Sequence, residues 1–236
     1  MASHKDLGVK SKNHKNPEGC VTRHIKGYRK GNTCSHRWQA GERARAENRI
    51  PHYHTNRRGY NYTIELFSLV WWPWSNNAHH IIPRSVLANM LDDVSQDAAP
   101  EHARMFRLAV NGLLTENYNL NAKINMIMLP MVEIDAARMG LPRHLKGKGG
   151  GAFDHPDYSE IIYLQVLGQV VEKYESFAKA VKAKKHQEKD PDPPKVREIL
   201  EGFSDVTYEE IIAVAAAKRA AGETDLTLDS ISSALF

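Results

Sequence analysis

Apolar residues recur at helical spacing through most of the chain after residue 84, and this periodicity constrains the fold more than any other feature. Spacings of three and four residues place side chains on one face of an α-helix. The pattern predicts helices over residues 85–94, 100–114 and 156–185, and a further short helix is expected over residues 37–49. These segments would bury their apolar faces against one another as a helical core.

The last fifth of the chain also has helical signals. Residues 196–202 predict a short helix, and Thr207-Tyr208-Glu209-Glu210 fits a capping box that would begin another. That helix is expected to end near Ala221, with Gly222 at its C-terminal cap. Residues 226–236 predict a last short helix or a tail. The proline-rich run before residue 195 is expected to be a linker or turn.

Few segments have the composition of strands. Aromatic and β-branched residues favour a strand over residues 60–74, and shorter ones are expected over 79–82 and in the apolar run that ends at Leu129-Pro130. The chain is therefore predicted to be α+β and mostly helical. Its 236 residues, 42% of them hydrophobic, suffice for a sizeable core. No apolar run approaches the roughly 18 residues of a membrane span.

Positive charge is concentrated in the first quarter of the chain. Residues 1–60 contain 14 Lys and Arg against 4 Asp and Glu, whereas residues 61–236 contain 18 against 24. This asymmetry favours a polyanionic partner such as nucleic acid, and a solvated arm is the alternative. The candidate phosphate contacts in this segment are Arg29, Lys30, Arg37, Arg57 and Arg58.

The same basic segment contains both cysteines of the chain. Cys20 and His24 are followed by Cys34 and His36, a set of four ligands that suits a structural Zn²⁺. A segment with few apolar residues would gain order from such a site. The spacing matches no standard zinc finger, so unligated residues are the alternative interpretation.

Two adjacent histidines, His79 and His80, stand in a short strand-like run that ends at Pro83. Neighbouring side chains on a strand point to opposite faces, so one imidazole can bind a metal while the other faces a substrate or a water. A metal-dependent phosphodiesterase needs this division between a metal ligand and a general base. His144 and His155 follow later in the chain as further candidate ligands.

The histidine pair belongs to a longer compound pattern. Asn77-Ala78-His79-His80-Ile81-Ile82-Pro83 is followed by Asn121-x3-Asn125-x3-Leu129-Pro130 and then by His155-Pro156-Asp157-Tyr158. This order of motifs, over residues 76–162, resembles the AHH family of nucleases in the HNH/endonuclease VII superfamily. The resemblance implies a ββα-metal core, expected within residues 61–188. Residues 1–60 would form a basic N-terminal segment, and residues 189–236 a helical extension.

The resemblance implies a role for each matching residue. His79 and His155 would be metal ligands, and His80 the general base that activates water. Asn125 would orient the base through the strand pairing, and Asn121 would hold the turn before it. The third ligand is left open between His144 and Asp154, and the candidates for stabilising the transition state are Arg84 and Arg143.

The function that follows from the resemblance is a metal-dependent endonuclease that uses one divalent ion, Mg²⁺, Mn²⁺, Ni²⁺ or Zn²⁺, on DNA in preference to RNA. The family consists mostly of bacterial polymorphic toxins and type VI secretion effectors. We therefore expect two kinds of partner, a cognate immunity protein and a secretion or chaperone protein. We also expect export without a cleavable signal, followed by action in the cytoplasm of a target cell. The alternatives are a non-catalytic nucleic-acid-binding module and a defence nuclease with no toxin role.

Overall fold

The computed structural model describes residues 21, 30–47, 76–144, 155–183 and 189–236. These residues form a mostly helical α+β fold with one two-stranded sheet, which confirms the fold class at that level. In chain order the elements are α1 (His36–Ala46), β1 (Asn76–His80), α2 (Arg84–Gln96), α3 (His102–Thr115), a 3-10 helix (Lys123–Asn125), β2 (Met126–Pro130), α4 (Glu133–Met139), α5 (Pro156–Ala183), α6 (Arg197–Ala220) and α7 (Leu228–Ser232). No helix in these ranges is long and apolar enough to cross a membrane.

The two strands pair antiparallel, with His79 opposite Ile127 and His80 opposite Met126. β2 is apolar and buried along its whole length, whereas β1 is polar and mostly half-buried. Because side chains alternate across a strand, a slip of one residue would exchange the faces of the two histidines. The register of this short sheet therefore decides which surroundings each of the two histidines has.

The helical core forms around α2 and α5, which pack against each other, and α3 also packs against α2. The inward stripe of α2 is the one that the periodicity predicts: Val86, Leu87, Met90, Leu91 and Val94 are all buried. α5 buries two tyrosines, Tyr158 and Tyr174, along with its apolar face. Each large apolar side chain removed from water contributes about 1.5–3 kcal/mol, so this packing is a major source of stability.

α1 lies against both strands and is joined to α6 by the buried Arg43. The Arg43 guanidinium stacks 3.5 Å above the Tyr208 ring, pairs with Asp205 at 2.9 Å and donates to the Ile124 carbonyl. A buried charge is stable only when it is paired and hydrogen-bonded. Arg43 therefore stabilises the position of α1 on the sheet.

A second arginine of α1 corrects a sequence-based expectation. Arg37 is only 4% exposed, and its Nη2 donates to the Asn76 side-chain oxygen at 2.9 Å. A side chain held in this way does not reach a phosphate, so the prediction that Arg37 contacts nucleic acid is wrong. Its charge serves instead to join α1 to the start of β1.

Most of the observed helices confirm the predicted ones, but the two helices predicted within residues 196–221 form a single helix. α6 runs without a break from Arg197 to Ala220, so the capping box expected at Thr207 does not form. Thr207 lies buried within the helix, because Phe203, Tyr208 and their neighbours continue a single buried face. Gly222 has φ +87° and ends α6 as predicted. The short helix α4 was not predicted, and the strand expected over residues 60–74 lies outside the described residues.

Two glycines in helices provide a matched test of this packing. A Cβ added at Gly112 in α3 would lie 2.7 Å from the Pro193 Cβ, whereas one added at Gly202 in α6 would meet nothing within 4 Å. Gly112→Ala is therefore expected to lower the free energy of unfolding by about 1–3 kcal/mol. Gly202→Ala is expected to raise it by about 0.5–1 kcal/mol. Urea unfolding measures both changes, and equal effects would contradict the packing of Pro193 on α3.

Candidate metal centre

Three histidines from separate parts of the chain converge on one point. His79 lies in β1, His144 follows α4, and His155 immediately precedes α5. Each offers a ring nitrogen, and these three atoms lie within 4.8 Å of one another. The ring centroids are 5.3 Å apart for His79 and His144, 5.1 Å for His79 and His155, and 4.6 Å for His144 and His155. The three residues are therefore close enough to bind one metal ion.

The donor set fits a divalent transition metal. Neutral imidazole suits Zn²⁺, Ni²⁺, Cu²⁺ and Fe²⁺, and three protein ligands leave coordination positions for water or substrate. A closed structural site would use four ligands instead. Among the described residues the group consists of these three histidines, which is the number of protein ligands in a centre of the open kind.

His144 reaches the centre because α4 ends sharply before it. Gly140 has φ +65°, a left-handed conformation that terminates the helix at low steric cost, and Leu141 N then donates to the Ala136 carbonyl. Three residues later, His144 N donates to the Pro130 carbonyl at 2.8 Å. The backbone of His144 therefore lies beside the end of β2.

His155 occupies the position just before the first turn of α5. Its carbonyl accepts the first helical hydrogen bond, from Ser159 N at 2.9 Å, and Pro156 suits the first helical position because it has no N–H to satisfy. Tyr158, the third residue of α5, donates from its hydroxyl to the Ile81 carbonyl at 2.7 Å. Its ring lies 5.6 Å from the ring of His79. This tyrosine therefore joins the start of α5 to the end of β1.

Burial disfavours the charged form of two imidazoles of the centre, those of His79 and His144. Desolvation lowers the pKa of His79 well below its ordinary value, and the neighbouring His144 and His155 lower it further. Desolvation, with a smaller effect of His155, lowers the pKa of His144 to about 3. Because a metal binds the neutral form of histidine, these groups need lose no proton at neutral pH before binding.

His80 has a different environment from its neighbour. Its Nε2 lies 2.7 Å from Asn121 Oδ1, and the Asn121 amide donates from Nδ2 to the Cys34 carbonyl at 2.9 Å. Since the carbonyl of Cys34 can only accept, the amide must present its oxygen to His80. In the neutral imidazole of His80, Nε2 then carries the hydrogen and Nδ1 the lone pair. This is the protonation state that a general base acting through Nδ1 requires.

Asn125 makes no described hydrogen bond to either histidine of the pair. Its Oδ1 accepts from Ile82 N at 2.7 Å and from Ser204 Oγ at 3.0 Å, and its Nδ2 donates to the carbonyls of Ile82 and Leu120. Asn125 thus fixes the chain immediately after His80. The described contacts assign the direct contact with His80 to Asn121, for which only a role in the turn was expected.

Asn77 is a contact of the centre that the sequence reasoning missed. Its side-chain nitrogen is placed 3.3 Å from His144 Nε2. The two ends of an amide are chosen by their hydrogen bonds, so Asn77 can accept from a protonated Nε2 when His144 binds a metal through Nδ1. The available signal was its position: Asn77 stands two residues before His79, on the same face of β1.

The remaining candidates fall into three groups. Arg84 and Lys30 are exposed, whereas Arg143 is buried and pairs with Asp225 at 2.7 Å. Cys34 is a buried free thiol, and the ring of His36 lies 6.2 Å from that of His80. The other predicted ligands and phosphate contacts lie outside the described residues: Cys20, His24, Arg29, Arg57, Arg58 and Asp154.

Comparison with known proteins adds nothing to this geometry. No family model, no curated protein and no solved structure matches the chain. The similarity to AHH nucleases stays a prediction from the motifs quoted from the sequence.

The cluster should bind one divalent transition-metal ion per chain. His144→Ala is expected to weaken binding of Zn²⁺ or Ni²⁺ by more than about 100-fold, since losing a ligand costs more than losing a supporting contact. Isothermal titration of the chelator-treated protein measures the affinity. His102→Ala is the matched control, because His102 pairs with Asp92 at 2.9 Å and is no member of the cluster. Equal affinities of the two variants would contradict the site.

The metal-free protein should lose stability in acid through its buried histidines. Because the pKa of His144 is lowered to about 3, the unfolded chain binds a proton that the folded chain does not once the pH falls below about 6.5. The free energy of unfolding should then fall by up to about 1.4 kcal/mol per pH unit for this group. Urea unfolding of chelated protein between about pH 6.5 and 4.5 measures the slope. His144→Asn should reduce it and His102→Asn should not, whereas an unchanged slope in His144→Asn would refute the assignment.

Proposed function

We propose that this protein is a metal-dependent endonuclease that hydrolyses phosphodiester bonds of DNA and acts as an antibacterial toxin. The observation that carries the proposal is the separation of the two adjacent histidines. His79 faces two further histidines in a candidate metal centre, and His80 is held by Asn121 with its lone pair on Nδ1. A metal ligand and a general base on opposite faces of one strand suit phosphodiester hydrolysis.

The arrangement of the elements supports a ββα-metal core. β1 supplies His79, β2 pairs antiparallel with it, and α5 begins directly after His155. The two strands and the helix therefore each contribute to the surroundings of the same point. The similarity to AHH nucleases implies such an arrangement, and His144 is the candidate third ligand that lies within the described residues, whereas Asp154 lies outside them.

The residues of the chain would divide the reaction between them. His79, His144 and His155 would hold the ion, which supplies Lewis-acid stabilisation of the phosphate and of the leaving 3′-oxygen when bound. His80 would accept a proton at Nδ1 from the attacking water. Asn121 would keep that nitrogen unprotonated and correctly oriented by accepting from Nε2. Arg84, exposed at the start of α2, would contact a substrate phosphate.

The toxin role and its partners rest on the similarity to AHH nucleases alone. Under that proposal the protein is exported by a specialised secretion system, acts in the cytoplasm of a target cell and is neutralised in its producer by an immunity protein. Residues 1–60, with their excess of Lys and Arg, would contribute electrostatic attraction to nucleic acid.

Plasmid nicking in the presence of Mg²⁺, Mn²⁺, Ni²⁺ or Zn²⁺ tests the catalytic proposal. Wild type should cut and a chelator should stop it. His80→Ala should lower the rate about 10²- to 10⁴-fold while metal affinity stays the same, because it removes the base and leaves the ligands in place. Asn121→Ala should lower the rate less, by about 10- to 100-fold.

The other outcomes separate the alternatives. DNA binding by wild type without cutting, with any of these metals, would favour a non-catalytic binding module. Cutting of RNA in preference to DNA would change the substrate. If wild type cuts DNA but its expression in a bacterial cytoplasm is as harmless as that of His79→Ala, the toxin role fails and a defence nuclease is favoured.

A further inference from the structure

A short segment near the C-terminus contacts the backbone beside two of the three candidate ligands. Residues 225–229, here called the C-terminal clamp, form a parallel bridge with Arg143 at Thr227. Arg143 N donates to the Leu226 carbonyl at 2.6 Å, and Leu228 N donates to the Arg143 carbonyl at 3.3 Å. The clamp therefore fixes both peptide groups of the residue that precedes His144.

A side-chain ion pair reinforces this bridge. Arg143 Nε lies 2.7 Å from Asp225 Oδ1, and the arginine side chain is 10% exposed. Asp225 has φ +57°, a conformation that aspartate and asparagine adopt more easily than other residues with a Cβ. Its backbone therefore turns at the point where its carboxylate meets Arg143.

The other end of the clamp holds the segment that bears His155. Asp229 Oδ1 accepts from Tyr158 N at 3.2 Å, in the first turn of α5. The side chain of the residue before a helix ordinarily satisfies this N–H, but here that residue is His155, whose ring lies in the cluster. Asp229 supplies the missing cap from a distant part of the sequence, and its negative charge is favourable at the positive end of a 28-residue helix.

The clamp is itself firmly anchored. Thr227 and Ser230 form a reciprocal capping box at the start of α7, and α7 packs against both α5 and α6. The side chains of Leu226, Leu228 and Ile231 are at most 2% exposed. A rigid support is needed if a contact at Tyr158 is to restrain the neighbouring imidazole.

From these contacts we infer that Asp229 is a positioning residue of the metal centre and that the C-terminal clamp holds His144 and His155 at their separation. The inference rests on the metal centre of the proposed function and adds residues at the far end of the chain to it. Through the Asp229 cap, His155 is freed from capping its own helix and is available as a ligand. Through the Arg143 bridge, the backbone of His144 is held beside the same support.

The chain offers a close control for Asp229. Glu116 also caps a helix from a distance, since its Oε2 accepts from Val196 N at 2.9 Å and from Arg197 N at 3.2 Å at the start of α6. Both carboxylates therefore perform the same structural task, and only Asp229 does so beside a candidate ligand. Loss of either cap should lower stability by about 0.5–2 kcal/mol in a urea experiment.

The test is the Zn²⁺ and Co²⁺ affinity of the full chain, measured by titration on chelator-treated protein. Asp229→Ala should bind either ion about 10- to 100-fold more weakly than wild type and should alter the visible spectrum of the Co²⁺-loaded protein. Glu116→Ala should leave affinity and spectrum unchanged. Asp229→Asn, which retains an oxygen acceptor for Tyr158 N, should restore most of the affinity.

A second variant covers the case in which Asp229→Ala does not fold. Asp225→Asn removes the ion pair with Arg143 from a half-exposed position and tolerates the positive φ, and it should weaken binding about tenfold. Clamp variants that bind as tightly as Glu116→Ala would overturn the inference. Failure of wild type itself to bind either ion would instead overturn the metal centre of the proposed function, so the two failures are distinguishable.

Discussion

The buried side chain of Asn125 is the interaction on which the rest of the site depends. It lies immediately before β2 and makes four hydrogen bonds, two of them to the backbone of Ile82, one to Leu120 and one to Ser204 of α6. In a buried position each unmade bond would cost about 1–3 kcal/mol, so only one alignment of the two strands satisfies the amide fully. That alignment sets His80 opposite Met126 and thereby gives each histidine its face.

Once the register is fixed, the two faces of β1 become two chemical environments. On one face the imidazoles of His79, His144 and His155 lie close together, and His144 and His155 are each only 2% exposed. On the other, His80 contacts Asn121, which is itself held by the N-terminal segment through Cys34. Under the proposed function, metal binding and proton transfer would need different protonation behaviour, and placing the two histidines on opposite faces of a strand would provide it although they are adjacent in sequence.

The sequence predicted what local patterns determine. Helical periodicity located α2, α3 and α5, and the His79-His80 pair indicated opposite faces of a strand. Contacts between distant segments were not predictable in this way. The capping box at Thr207 is locally plausible, yet the buried face around Tyr208 continues the helix through it. Arg37 has the composition of a phosphate contact, and only the packing of α1 on the sheet shows its charge to be internal.

The third histidine of the candidate metal centre illustrates the same limit within the site. His144 stands eleven positions before His155, and nothing in that spacing requires the two rings to meet. They meet because Pro130 and Leu226, from two different regions of the chain, each accept a backbone hydrogen bond from the segment around His144. A sequence pattern consists of residue types, whereas the approach of these two rings depends on backbone carbonyl groups, which every residue has. The backbone contacts therefore determine which candidate ligands meet, and no residue type in the sequence marks them.

The convergence of three imidazoles, two of them buried and that of His79 half-buried, has a cost in free energy. Without an ion, each ring loses hydration, and the lowered pKa of His79 and His144 expresses that loss. A bound metal would compensate by coordinating the same nitrogens, and at 100 times its dissociation constant it would stabilise the folded state by about 2.7 kcal/mol. Without a bound metal, the separation of the three rings depends on the strand pairing, on Tyr158 and on the C-terminal clamp. The hydrogen bonds of Tyr158 to Ile81 and to Asp229 therefore serve two purposes: they hold α5 in the helical core, and they hold the candidate ligands near one another.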